Sequence, residues 1–225
     1  MKRLLFILLL AGMAHAQCPP TRQPYTVAIT TAAAFAQPPR LPANSGLITD
    51  KQGFTRSGDA FLLQLTNGHR KRLLRKPGRT HEEDVAELSY LGILPCLHKY
   101  VLHVLFWEAS RILLVDQQTG AIDSLQAVPT LSPKVGFVAT TFQGYPYKGA
   151  PNGVEVFQVA TSHVRRKFTI AQEQWLPYGL AWVDEHSFIV KCLPLAVQEL
   201  VESGKLSKKV LQNSPRFFYL RVTMR

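Results

Sequence analysis

YVLHVLFWEASRILLVDQQTGAIDSL, residues 100–125, holds two apolar runs, Val101–Trp107 and Ile112–Val115, followed by a turn at Asp116-Gln117-Gln118-Thr119-Gly120. Runs this short, rich in Val, Ile, Leu and aromatics and bounded by turn residues, read as strands rather than a helix. Gly120 suits the left-handed position of a short hairpin loop, where a Cβ is strained. Tyr100, Leu102, Val104 and Phe106 fall on one face of the first strand; Val101, His103 and Leu105 fall on the other. Both faces are mainly apolar, so the strand is expected at the centre of the fold, covered on both sides.

Further hairpins lie on either side of this block. Phe61–Thr66 and His69–Leu74 flank Asn67-Gly68, a pair that tolerates the positive φ angles of a two-residue turn. Val135–Phe142 and Val154–Val159 flank a Gly- and Tyr-rich loop at 143–153, and Val164–Ile170 alternates as a half-exposed outer strand. Trp175–Gly179 reads as a turn. Leu180–Val183 and Ser187–Cys192 flank Asp184-Glu185-His186, and Phe217–Thr223 is a strong final strand. Leu195–Val201, ended by Gly204, is the one convincing helix, with a possible helical turn at 82–90. Residues 17–60, broken by six prolines, form an irregular lead-in with one or two edge strands, Tyr25–Thr31 among them.

The N-terminus has its own logic. Lys2 and Arg3, the apolar Leu4–Leu10 and Ala14-His15-Ala16 make a secretory signal peptide over 1–16, too short in its apolar part to span a bilayer. Gln17 stands where a lipobox before Cys18 requires a small residue, so lipidation is not favoured. The expectation is export to the periplasm or exterior, with no membrane span in the mature chain. Cleavage lowers the formal charge from +11 to +9 by removing Lys2 and Arg3. Three cysteines (Cys18, Cys96 and Cys192) form no metal-binding spacing. A Cys96–Cys192 disulfide and two buried thiols are both compatible with the pattern.

Hairpins recur near 61–74, 100–125, 135–170 and 180–222, a spacing suited to propeller blades or a multi-hairpin sandwich. LLVDQQTGAIDSL followed by PTLSPKVGFVATTF resembles the blade repeat of secreted bacterial β-propellers, the TolB-type periplasmic ones among them. Lys134-Val135 stands where Asp-Gly is usual in that repeat. With its long apolar strand, the Trp107-Glu108 corner, the Thr119-Gly120 turn, Ser132-Pro133 and the Asn152-Gly153 strand, Leu91–Val190 is also similar to a group of uncharacterised exported bacterial proteins. The resemblance implies export and architecture and carries no catalytic residue. The fold class expected is all-β: antiparallel hairpin repeats over a single domain at 61–225, a small or partial β-propeller, or alternatively a β-sandwich, with one short helix near the C-terminus.

Catalytic and metal signatures are missing from the sequence: there is no nucleophile elbow, HExxH, phosphate loop or paired-cysteine site. No cofactor is expected. The carboxylates that follow tryptophans, Glu108 after Trp107 and Asp184 near Trp182, are weak candidates for a hydrolase acting on envelope glycan or peptide. That chemistry needs the two to converge on one cleft. Tyr145, Tyr147 and Lys148, on a Gly/Pro scaffold, make the best binding surface, and the favoured reading is a non-enzymatic interaction module contacting an envelope protein. Arg70, Lys71 and Arg72 begin a basic stretch continued by Arg75, Lys76 and Arg79, suited to an anionic polymer. Without interleaved aromatics that stretch does not favour nucleic acid.

Overall fold

The structure, a computed structural model, describes residues 23–42, 45–74, 87–106, 109–145, 149–207 and 216–225. Four antiparallel sheets follow one another along the chain. The first is built from β2 (Phe54–Ser57), β3 (Ala60–Gln64) and β4 (Arg70–Leu74). The second runs β5 (Glu87–Leu94), β6 (Lys99–Leu105), β7 (Ser110–Asp116) and β8 (Ile122–Leu125) in sequence order. The third is β9 (Thr130–Leu131), β10 (Phe137–Phe142), β11 (Asn152–Val159) and β12 (Val164–Gln172). The fourth takes β13 (Trp175–Trp182), β14 (Ser187–Pro194) and β15 (Phe218–Met224), then accepts β1 (Tyr25–Thr30) from the start of the chain as its outermost strand. β1 pairs with β15 from Tyr25↔Met224 to Thr30↔Tyr219, so the lead-in and the C-terminus are tied into one sheet.

Alternation on each strand sends side chains to both faces, and the faces pack in chain order. Phe61 and Leu63 of the first sheet meet Tyr100, Leu102 and Val104 of the second. Val101, Ile112 and Leu114 on its other face meet Val138, Phe157 and Val164 of the third. Val154, Val156 and Phe168 then meet Trp182, Phe188 and Val190 of the fourth. β6 is therefore apolar on both faces because both are covered, as its sequence requires. Cys192 is a free thiol in the last of these clusters, and burial pushes its pKa up to about 12. Cys96 packs against the cluster before it, so the two form no disulfide.

Several local expectations are corrected. Glu87–Tyr90 is strand, because Leu88 and Tyr90 fill the cluster between the first two sheets. Trp175–Gly179 is strand too: β13 is an edge, where the missing N–H of Pro177 costs no ladder bond, and a bulge sits between Pro177 and Gly179. The Asn-Gly hairpin closes through three residues, Thr66, Asn67 and Gly68, with bonds from Leu65 N–H to His69 O and from Gly68 N–H to Leu65 O. Only Gly68 of the Asn67-Gly68 pair has positive φ. Two helical elements were not anticipated: α1 (Ala32–Phe35), capped by Thr31, and a 3-10 turn at Pro95–Leu97. The helix near the C-terminus, α2 (Leu195–Glu202), lies where expected.

At the Leu131-Ser132-Pro133 turn, Val135 takes φ +60. That is a conformation glycine adopts without strain, and a β-branched residue there is strained by about 1–2 kcal/mol. Val135→Gly and Val135→Ala both remove its contact with the core, but only glycine relieves the strain. Chemical denaturation is expected to find the glycine variant more stable than the alanine variant by about 1 kcal/mol, after glycine's larger unfolded-state entropy is counted.

Candidate functional site

One rim of the stack collects the turns before β6, between β7 and β8, β9 and β10, β11 and β12, and β13 and β14. Polar groups there stitch each sheet to the next. Asn67 Nδ2 donates to Gln118 O at 2.8 Å, and Thr66 N–H to Gln117 O at 2.7 Å, joining the first sheet to the second. Between the second and third, Lys99 is 2% exposed; its ammonium lies 3.2 Å from Asp116 Oδ2 and 3.7 Å from Asp123 Oδ2, and it donates to the carbonyl of Ser162. Asp123 also meets His163 Nδ1 at 2.8 Å and accepts from Val164 N–H at 3.0 Å. Between the third and fourth, Glu185 accepts from Ser132 Oγ, Lys134 N–H and Gly136 N–H at 2.7–2.9 Å. These groups are joint-makers.

Asp184 belongs to this rim, where its Oδ1 caps the β13–β14 turn by accepting from His186 N–H at 2.8 Å. Glu108 lies outside the described residues. Its flanking strand ends, Leu105 and Ser110, pair at the opposite rim from Asp184, since β6 and β7 are antiparallel and meet the Asp184 rim at Lys99 and Asp116.

The opposite rim carries the tyrosine loop. Asn152, 2% exposed, accepts at its Oδ1 from Gly144 N–H and Tyr145 N–H, and Gln143 Nε2 donates to Pro177 O at 2.8 Å. The third sheet's loop is thereby held against β13 of the fourth. Tyr145 is half-buried; loss of solvation, then the carboxylates of Glu202 and Glu199 on α2, raise its pKa. Tyr178, 44% exposed, donates to Gln198 Oε1 of the same helix and packs edge-on against Phe217, over which Lys191 Nζ sits at 4.0 Å. Tyr147 and Lys148 lie outside the described residues. The Tyr178–Phe217 pair, next in the chain to the Pro177 carbonyl that holds this loop, is not legible in the sequence, because Pro177-Tyr178 reads locally as a turn.

The basic stretch divides as a strand must. Arg70 and Arg72 share the exposed face of β4, whereas Lys71 pairs with Leu63 on the face toward the second sheet and reaches Gly120. Arg75, Lys76 and Arg79 lie outside the described residues, as do Cys18 and residues 1–16, where the sequence leads one to expect a signal peptide.

A cleft between the outer strands of the second and third sheets escaped the sequence reading altogether. A register shift between Val156 and Phe157 pairs Phe157 with Arg166 and Val156 with Phe168, leaving Lys167 as the extra residue. The bulge turns Arg166 away from Phe168's face and toward Glu155, against the strict alternation expected for 164–170. Arg166 and Glu155 then meet at 3.3 Å beside Arg111 and Gln126.

Among the described residues no group of three or more His, Cys, Asp or Glu is placed to hold a metal ion, and no helix is long and apolar enough to cross a membrane. No known protein family, curated protein or solved structure matches the chain.

Proposed function

We propose that the chain is an exported, non-enzymatic interaction module of the cell envelope, built as a small or partial β-propeller, which binds a protein partner through the rim around Tyr145. The observation that carries the reading is the anchoring of the Tyr145 loop by buried Asn152 and, through Gln143, by the carbonyl of Pro177, which precedes the exposed Tyr178, with the carboxylates of Glu199 and Glu202 on α2 near Tyr145. Flat amphipathic rings on a fixed backbone bind with little loss of conformational entropy, which is how recognition loops gain affinity. The propeller reading draws support from the four up-and-down sheets packed in chain order and from completion of the last sheet by the N-terminal strand β1. Export rests on the sequence of residues 1–16.

The test is capture from envelope extract by the purified protein at low and moderate salt. A partner retained at moderate salt and lost by the Tyr145→Ala/Tyr178→Ala double variant is the expected result; unchanged capture by that variant removes the site. A second reading, association with an anionic polymer, is favoured by the exposure of Arg70 and Arg72 on one face, neither in an ion pair among the described residues. It requires affinity that falls steeply with salt.

A further inference from the structure

Between the outer strands of the second and third sheets lies a cavity of about 350 Å³, with Arg111, Gln126, Glu155 and Arg166 around an apolar floor that includes Leu125 and Phe157. The size sits at the small end of ligand pockets, roughly 300–1,000 Å³, and suits a monosaccharide-sized guest. Its hydrogen-bonding capacity is not used up within the cleft. Glu155 is 7% exposed and accepts one bond, at 3.3 Å, from Arg166, whose own side chain is mostly in solvent. A carboxylate has about four acceptor sites, so most of this buried group's capacity is unspent. Directly across the ladder on β10, Thr140 is 2% exposed and its hydroxyl has no hydrogen-bond partner among the described residues. Arg111 donates to Gln126 Oε1 at 2.7 Å and to the carbonyl of Ser110, both neutral, and forms no ion pair among the described residues.

We infer that this inter-sheet cleft is a binding site for a small monoanion carrying hydroxyl groups, a sugar acid of the uronate class. Arg166 already balances the charge of Glu155, so the buried carboxylate calls for neutral donors, which hydroxyls supply. The uncompensated charge is that of Arg111, whose planar guanidinium matches a carboxylate in two-point contact. A dianion such as phosphate meets one available cation and one buried anion, and is disfavoured. A purely apolar guest leaves Glu155 as it is. The apolar floor suits the C–H face of a pyranose ring.

The probe is D-galacturonate, titrated into the purified protein by calorimetry and by amide chemical-shift mapping, with D-galactose and acetate alongside. The expected result is saturable galacturonate binding, with galactose and acetate each weaker by about tenfold or more, since each lacks one half of the recognition. Arg111→Gln is expected to weaken galacturonate by about tenfold while leaving galactose unchanged, and Glu155→Gln to weaken both sugars. Arg111 is partly exposed, so its variant tests the site even where Glu155→Gln fails to fold. Absence of galacturonate binding, acetate bound as tightly as galacturonate, or an Arg111→Gln protein with undiminished affinity would each overturn the assignment. The cleft is separate from the Tyr145 rim, so loss of one function leaves the other measurable.

Discussion

Lys99→Met is expected to destabilise the protein by roughly 3–5 kcal/mol at neutral pH, the range for removing one partner of a buried ion pair. Methionine fills a similar volume, so the cost is electrostatic. Asp116 and Asp123, with side chains 5% and 10% exposed, lose the cation both face, and the Ser162 carbonyl loses its donor. The signature is a pH dependence. Burial pushes the Asp116 carboxyl up, but bonds from the Thr119 N–H and hydroxyl and from Lys99, with the lysine's charge, outweigh it and hold the pKa below the ordinary carboxylate value of 3.8. A depressed folded pKa contributes stability that is present above the unfolded pKa and lost as pH falls through the folded one. The wild type therefore loses this contribution on acidification below about pH 4. Without Lys99 the Asp116 pKa moves up, the variant has less to lose, and the gap between the two proteins narrows. Urea titrations at pH 7 and near pH 3 measure it; a gap that stays constant assigns the loss to packing instead.

That latch also marks the boundary of what the sequence makes legible. Strands, turns and their order are local: Gly120 takes positive φ where the hairpin demands it, β6 is apolar on both faces, and Phe218–Met224 closes the last sheet. Such features follow from side-chain period and backbone sterics within ten residues. The joints do not. Lys99 reads as an ordinary charge at a strand start until Ser162, more than sixty positions away, is brought over it by the β11–β12 turn.

The bulge on β12 is the clearest instance of this limit. Val164, Arg166, Phe168 and Ile170 read as one face, yet pairing against β11 puts Val164 with the cluster toward the second sheet and Phe168 with the cluster toward the fourth. Two-against-one pairing is a property of the partner strand, and it makes the Arg166–Glu155 cleft invisible in the sequence of either strand alone. Of the candidate site residues, Tyr145 is proposed from loop composition. The Tyr178–Phe217 ring pair, from positions far apart in the chain, is not legible in this way.

Glu185→Ala is expected to cost roughly 2–3 kcal/mol and to loosen the joint between the third and fourth sheets. The carboxylate accepts three bonds from the Ser132–Gly136 turn, and a charge-assisted bond is worth about 1.5–3 kcal/mol when fully protected. Glu185 is only half-buried, so solvent screening takes the sum well below three full bonds. Ser132, fully buried, passes the contact inward by accepting from Phe137 N–H at 2.9 Å. Gly136 fits because its missing Cβ would fall 2.4 Å from Glu185 Oε1. The turn is thus shaped around a carboxylate from another sheet, a bridge that nothing in the local sequence Asp184-Glu185-His186 reveals. Glu185→Gln keeps one acceptor oxygen and is expected to lose about half as much. Amide hydrogen exchange separates this from general destabilisation: protection at Lys134 and Gly136 should collapse in Glu185→Ala under conditions where the amides of β11 remain protected. Equal loss of protection across the third sheet would instead mean that the carboxylate supports the whole sheet and not the joint.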